Sequence, residues 1–151
     1  MSFRIAHPPL VAPIPKPGRG PQPARPDAEG QRRPRGRHGG YLTKIRALPC
    51  LVCAQLPVDA AHIRYADDGW GKRETGKAEK PHDMWTLPLS PWWHTQGPLA
   101  QHRFAERDWW RWIGIDPLEV CSRLWAVRDS LEAMEEIAAM YRLAKLPEGR
   151  P

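Results

Sequence analysis

No stretch of this 151-residue chain approaches the ~18 consecutive apolar residues of a membrane-spanning helix, so no membrane span is expected. Residues 1–17 also lack the apolar core of a secretory signal, being broken by Pro8, Pro9, Pro13, Pro15 and Pro17, and a cytoplasmic protein is the expectation. Only three cysteines are present, Cys50, Cys53 and Cys121, which does not suggest a disulfide framework, and the Cys-x-x-Cys pair favours metal or redox chemistry. Acidic groups are scarce at one end, where residues 1–40 contain only Asp27 and Glu29. The same segment holds nine of the 18 prolines, six of the 12 glycines and eight of the 23 lysines and arginines. That composition cannot bury enough apolar surface to offset chain entropy, so it reads as a disordered basic arm. Residues 41–151 carry 15 basic and 15 acidic groups, so the formal excess of +6 sits on the arm. Its Arg-rich end, with Arg32, Arg33, Arg35 and Arg37, suits phosphate contact.

What the chain does contain is one ordered run of chemistry-bearing residues. Cys50-Leu51-Val52-Cys53 is followed by His62, then His82-Asp83, His94 and His102. Cys and His are the ligands that zinc and other borderline metals prefer, and neutral imidazole is the commonest general base near neutral pH. Around this run, residues 41–48 read as a short helix or strand and residues 49–57 as a knuckle-like turn holding the cysteine pair. Residues 58–65 and 84–89 read as two short strands, with Pro88 confining the second to an edge. Residues 66–82 read as a polar loop. Gly97-Pro98 signals a helix start, with Leu99, His102, Glu106, Trp109 and Ile113 on one side and Gly114 at its end. Asp116-Pro117 signals a second start. From there Val120, Leu124, Val127, Leu131, Met134, Ala138 and Tyr141 recur at steps of four and three, which predicts one long amphipathic helix to near Pro147. The stripe is expected to pack on its own domain, and its heptad spacing also permits a homodimer.

The order of elements and the stretches Ala61-His62-Ile63-Arg64, Lys80 to Leu89, and His94 with His102 resemble the HNH endonucleases of the ββα-metal (His-Me finger) superfamily. More narrowly, the chain is similar to the small phage and prophage HNH group that includes the Ref-type recombination nuclease. The resemblance covers roughly residues 41–126, and Lys80 to Leu89 is its most specific part. It implies an α+β protein: a disordered arm (1–40), a ββα-metal nuclease core (41–113) and a C-terminal helical extension (114–151). It implies metal-dependent hydrolysis of DNA phosphodiesters, in phage or prophage DNA processing or recombination, within a bacterial or phage-infected cell. By the same resemblance His62 is the general base, and His94 and His102 hold one divalent ion (magnesium, manganese or zinc). Asp83 completes the metal shell or orients His62, and Arg64 and Lys80 join the arm in contacting DNA. A protein activator is a further partner of this class.

The chain departs from the family pattern at named positions. Ser90 and Trp93 stand where many relatives carry further zinc ligands, which leaves Cys50 and Cys53 as a residual structural zinc site without four ligands. Ala61 stands where a metal ligand often precedes the base, Trp85 stands near the usual asparagine, and seven residues separate His94 from His102. These departures define the alternative: a catalytically degenerate nucleic-acid-binding protein or adaptor that retains the fold. Other residues have plain readings. His82 is expected in a solvated loop, His7 and His38 in the arm, and Cys121 buried as a small apolar group. The tryptophans are expected mainly in the core, with Trp70 or Trp92 able to stack on a base if exposed.

The charge distribution yields a direct test. If half of the arm's eight basic residues contact phosphates, deleting the arm flattens the log-affinity versus log-salt slope on duplex DNA by about three to four. Binding titrations across a salt series check this, and an unchanged slope assigns DNA binding to Arg64, Lys72, Arg73, Lys77 and Lys80 instead.

Overall fold

A computed structural model describes residues 36–76, 79–143, 146–149 and 151. The expected disorder of the arm and the placement of Arg32, Arg33, Arg35 and Lys77 lie outside those residues. Residues 36–40, assigned to the arm from composition, belong to the fold instead, because helix α1 spans Gly39–Ala47. A deletion that removes only the arm therefore stops at residue 35.

α1 opens on two glycines, which favour helix poorly. Lys44 and Arg46 in its last turn complement the helix dipole, and Leu48 before Pro49 is extended, as a residue preceding proline must be. Tyr41, Ile45 and Leu48 bury its inner face. A tight turn follows, closed by Ala54 N to Cys50 O at 2.9 Å and Cys50 N to Gln55 O at 3.2 Å. Strand β1 is Asp59–His62 and strand β2 is Thr86–Leu89. They pair antiparallel, with Asp59 opposite Leu89, Ala60 opposite Pro88, Ala61 opposite Leu87 and His62 opposite Thr86. Both are shorter than the expected strands, although Ile63 N to Trp85 O at 2.9 Å extends the pairing by one bond. Pro88 is tolerated because a two-stranded sheet has only edges. Its carbonyl still accepts from Leu51 N at 3.2 Å.

Two expected helices are corrected. The helix expected from Gly97 begins only at α2, Glu106–Ile113. Phe104 and Ala105 are extended, and the chain before them makes a π-helical turn, Trp92–Gln96, and a 3₁₀ turn, Gln101–Arg103. Residues 97–105 fold back on α2, where the Trp109 indole donates to Leu99 O at 2.8 Å. The expected long C-terminal helix is two helices, α3 at Pro117–Ala126 and α4 at Leu131–Tyr141. The break is a capping event: Ser130 takes an extended backbone and its side chain accepts from Ala133 N at 3.2 Å. Lys44 of α1 meets the exposed carbonyls of Arg128 and Asp129 at 2.7 and 3.2 Å. Val120, Leu124, Met134, Ala138 and Tyr141 of the stripe are buried in the chain's own core, whereas Val127 at the break is half-buried and Leu131 at the start of α4 is exposed.

That core is continuous, joining α1, the hairpin and α2 to α4. Trp109 and Trp110 meet edge to face at 4.8 Å within it. Leu143 N to Leu51 O at 3.0 Å ties the C-terminal residues to the cysteine turn, so residues 114–143 complete the core rather than extend it. Cys121 is fully buried, as expected of a small apolar group. Asp116 caps α3 on Leu118 N and Glu119 N at 3.0 and 3.3 Å. Asp116→Ala is expected to lower unfolding free energy by about 0.5–2 kcal/mol with the m-value unchanged, measured by urea denaturation.

Candidate active site

The hairpin register decides what the sequence run can do, because it fixes where each histidine emerges. His62 closes β1, and its Nε2 lies 3.0 Å from Asp83 Oδ1. Asp83 is 1% exposed and His62 is mostly buried. Of the two roles implied for Asp83, the structure places it on His62. A carboxylate at Nε2 favours the tautomer that donates from Nε2 and carries its lone pair on Nδ1, the atom at which a base accepts a proton.

A second histidine–carboxylate pair stands at the other end of β1. His94, on the π-helical turn, has its Nδ1 2.8 Å from Asp59 Oδ2. The anchors Asp59 and His62 are three residues apart, about 10 Å along a strand. The His94 ring meets the His102 ring edge to face at 4.6 Å between centres. The contact brings two imidazoles, the side chains that borderline divalent metals prefer, next to each other. Asp59 on Nδ1 leaves Nε2 as the nitrogen His94 would offer, the carboxylate–histidine arrangement that commonly orients a metal ligand. Among the described residues no group of three or more His, Cys, Asp and Glu side chains gathers to hold a metal.

Arg64 is exposed and close enough for its charge to act on His102. Burial first, then His94 and Arg64, push the His102 imidazole below its ordinary value of 6.5. Behind Arg64, Glu106 accepts from the amides of Arg64 and Tyr65 at 2.9 and 3.2 Å and from the Gln101 side chain at 2.8 Å. Burial raises the Glu106 carboxyl, and those two amide bonds oppose the rise. Glu106 thus fixes the backbone that carries Arg64 to the 3₁₀ turn that carries His102.

The cysteine pair does not fit a closed metal site. Cys50 is fully buried, with its thiol pushed up by that burial, and Cys53 Sγ lies 3.6 Å from Ser90 Oγ. A hydroxyl thus occupies the place beside Cys53 where another sulfur would be needed. Among the expected phosphate contacts, Arg64, Lys80 and Arg37 are exposed. Lys72 is not part of a basic face, being 2% exposed with its ammonium on Tyr65 O at 2.5 Å. Arg73 pairs with Glu79. His82 and His38 also depart from their expected places, since their rings lie 5.1 Å apart and both pack on Trp125.

Sequence reading missed Asp59 as a site residue. Its signal was present: an acid three positions before His62, in a strand otherwise built from alanine. Comparisons with protein-family models, curated proteins and solved structures find no match to this chain.

The electrostatics of the imidazole pair are testable in metal-free protein. His102 is expected to titrate below 6.5, with His94→Gln raising its pKa more than Arg64→Gln, followed by NMR of the ring signals. A depressed pKa means that the unfolded chain takes up the proton first. This group's contribution to stability therefore falls as pH drops through about 6.5.

Proposed function

We propose that the chain is a metal-dependent HNH-type endonuclease that hydrolyses DNA phosphodiester bonds in phage or prophage DNA processing. One observation carries the reading: a histidine–aspartate pair closes the first strand of an antiparallel hairpin, and two imidazoles meet 4.6 Å apart on the turns that follow the second strand. A divalent ion held by His94 and His102 would polarise the scissile phosphate and stabilise the leaving oxygen. His62 takes the proton of the attacking water at Nδ1, and Asp83 holds its tautomer and supports the imidazolium that forms. Arg64 is exposed and its charge acts on His102, so its guanidinium would be available to a phosphate oxygen. The arm supplies long-range attraction to DNA through its excess positive charge.

A second reading, a DNA-binding protein that has lost catalysis, is favoured by Ala61. It stands at the position before the proposed base, is fully buried, and brings no metal ligand from the strand. Plasmid nicking in magnesium, manganese or zinc separates the two. His62→Ala is expected to lower the nicking rate by about 10²–10⁴-fold with DNA binding retained. His94→Ala and His102→Ala are each expected to weaken calorimetric metal binding. Wild-type protein that binds DNA but never nicks it supports the second reading, and nicking that survives His62→Ala removes the assigned base.

A further inference from the structure

The far side of the Asp83 carboxylate is held by a segment that composition assigned to the arm. The amide of His38 donates to Asp83 Oδ2 at 2.8 Å, and the amide of Asp83 donates to Gly36 O at 3.2 Å. Oδ1 meets His62, so the two carboxylate oxygens serve different partners. The neighbouring side chains share one indole: His38 packs on Trp125 at 4.8 Å, His82 on Trp125 at 5.4 Å, and Arg128 lies over the same ring at 4.7 Å. His82 is fixed in turn, its Nδ1 accepting from Met84 N at 3.0 Å. A Cβ at Gly36 would collide with the His82 ring, so a side chain there requires that ring to shift.

We propose that residues 36–38 are a positioning clamp for the His62–Asp83 pair. The His38 amide fixes Oδ2 and with it the carboxylate plane, which directs Oδ1 at His62 Nε2 and selects that ring's tautomer. The catalytic consequence rests on the reading in which His62 is the base; the clamp itself does not. Gly36 follows directly on Arg35 in sequence, so the basic arm enters the fold at the proposed base. Among the described residues, His62 meets the Asp83 carboxylate through its ring and His38 through its backbone amide.

The test is ¹⁵N NMR on full-length, metal-free protein at one neutral pH, reading His38 amide exchange and the ring nitrogens of His62. Wild-type protein is expected to show a slowly exchanging His38 amide and a His62 ring protonated at Nε2. Gly36→Ala is expected to speed that exchange by about ten- to a hundredfold, as for loss of a charge-assisted bond, and to mix the two His62 tautomers. The Gly36→Ala/His82→Ala double variant removes the clash and is expected to restore both signals. Gly39→Ala, whose Cβ meets nothing within 4 Å, is expected to leave both unchanged. If Gly36→Ala does not fold, His38→Pro, which deletes the donor, is expected to mix the His62 tautomers. A single His62 tautomer persisting in the folded variants overturns the clamp, as does a His38 amide unaffected by Gly36→Ala. No arm reads DNA cleavage, so an inactive wild type would remove the nuclease reading and leave the clamp standing.

Discussion

Asp83 is a carboxylate with 1% of its surface exposed, and a buried charge must be paired or it destabilises the fold by several kcal/mol. Two of its partners among the described residues come from far along the chain, from the end of β1 at His62 and from His38 before α1. Satisfying that one group therefore draws together the start of the described chain, the first strand and the approach to the second. The histidine gains a defined tautomer from the same contact. The fold and the proposed chemistry thus depend on one interaction.

A two-stranded sheet is at most marginally stable in water, so the hairpin that presents these groups relies on what covers it. Leu87 and Leu89 of β2 are fully buried, in one core with Ile45 and Leu48 of the first helical region and with Val120 and Leu124 of α3. The C-terminal helices are for this reason part of the site's support. Register is equally demanding. A slip by one residue would exchange His62 with Ala61 and turn each strand's faces over, and the burial of Ala61 and Leu87 opposes that slip.

The sequence is legible where local chemistry is strong. Asp116-Pro117 marks the start of α3, Gly114 ends α2 in the left-handed conformation, and the tryptophans Trp109 and Trp110 lie in the core. It is misleading where two local signals compete. The four-and-three stripe runs unbroken from Val120 to Tyr141, yet Ser130 prefers to cap, and capping splits the helix while both halves keep their buried face. Gly97-Pro98 has the look of a helix start, but Gly97 is needed for close approach to Trp92, whose carbonyl a Cβ there would meet at 2.7 Å. Long-range pairings were out of reach. Nothing local in His38, His82 or Asp59 announces a partner 35 to 45 residues away.

The cysteine turn shows how a knuckle persists on other forces. Its backbone closes on itself through Cys50 and Gln55, reaches β2 through Leu51 and Pro88, and receives Leu143. Cys50 and Leu51 are fully buried, so hydrophobic contact and backbone bonds hold the turn without any bridge between the two sulfurs. Once the turn is secured in this way, Ser90 and Trp93 are free to serve packing. Trp93 is nearly buried beside His94, and the amide of His94 donates to Ser90 O at 2.9 Å. Ser90 and Trp93 thus brace the turn carrying His94. The donors best placed for an ion are then the two imidazoles, one already oriented by Asp59.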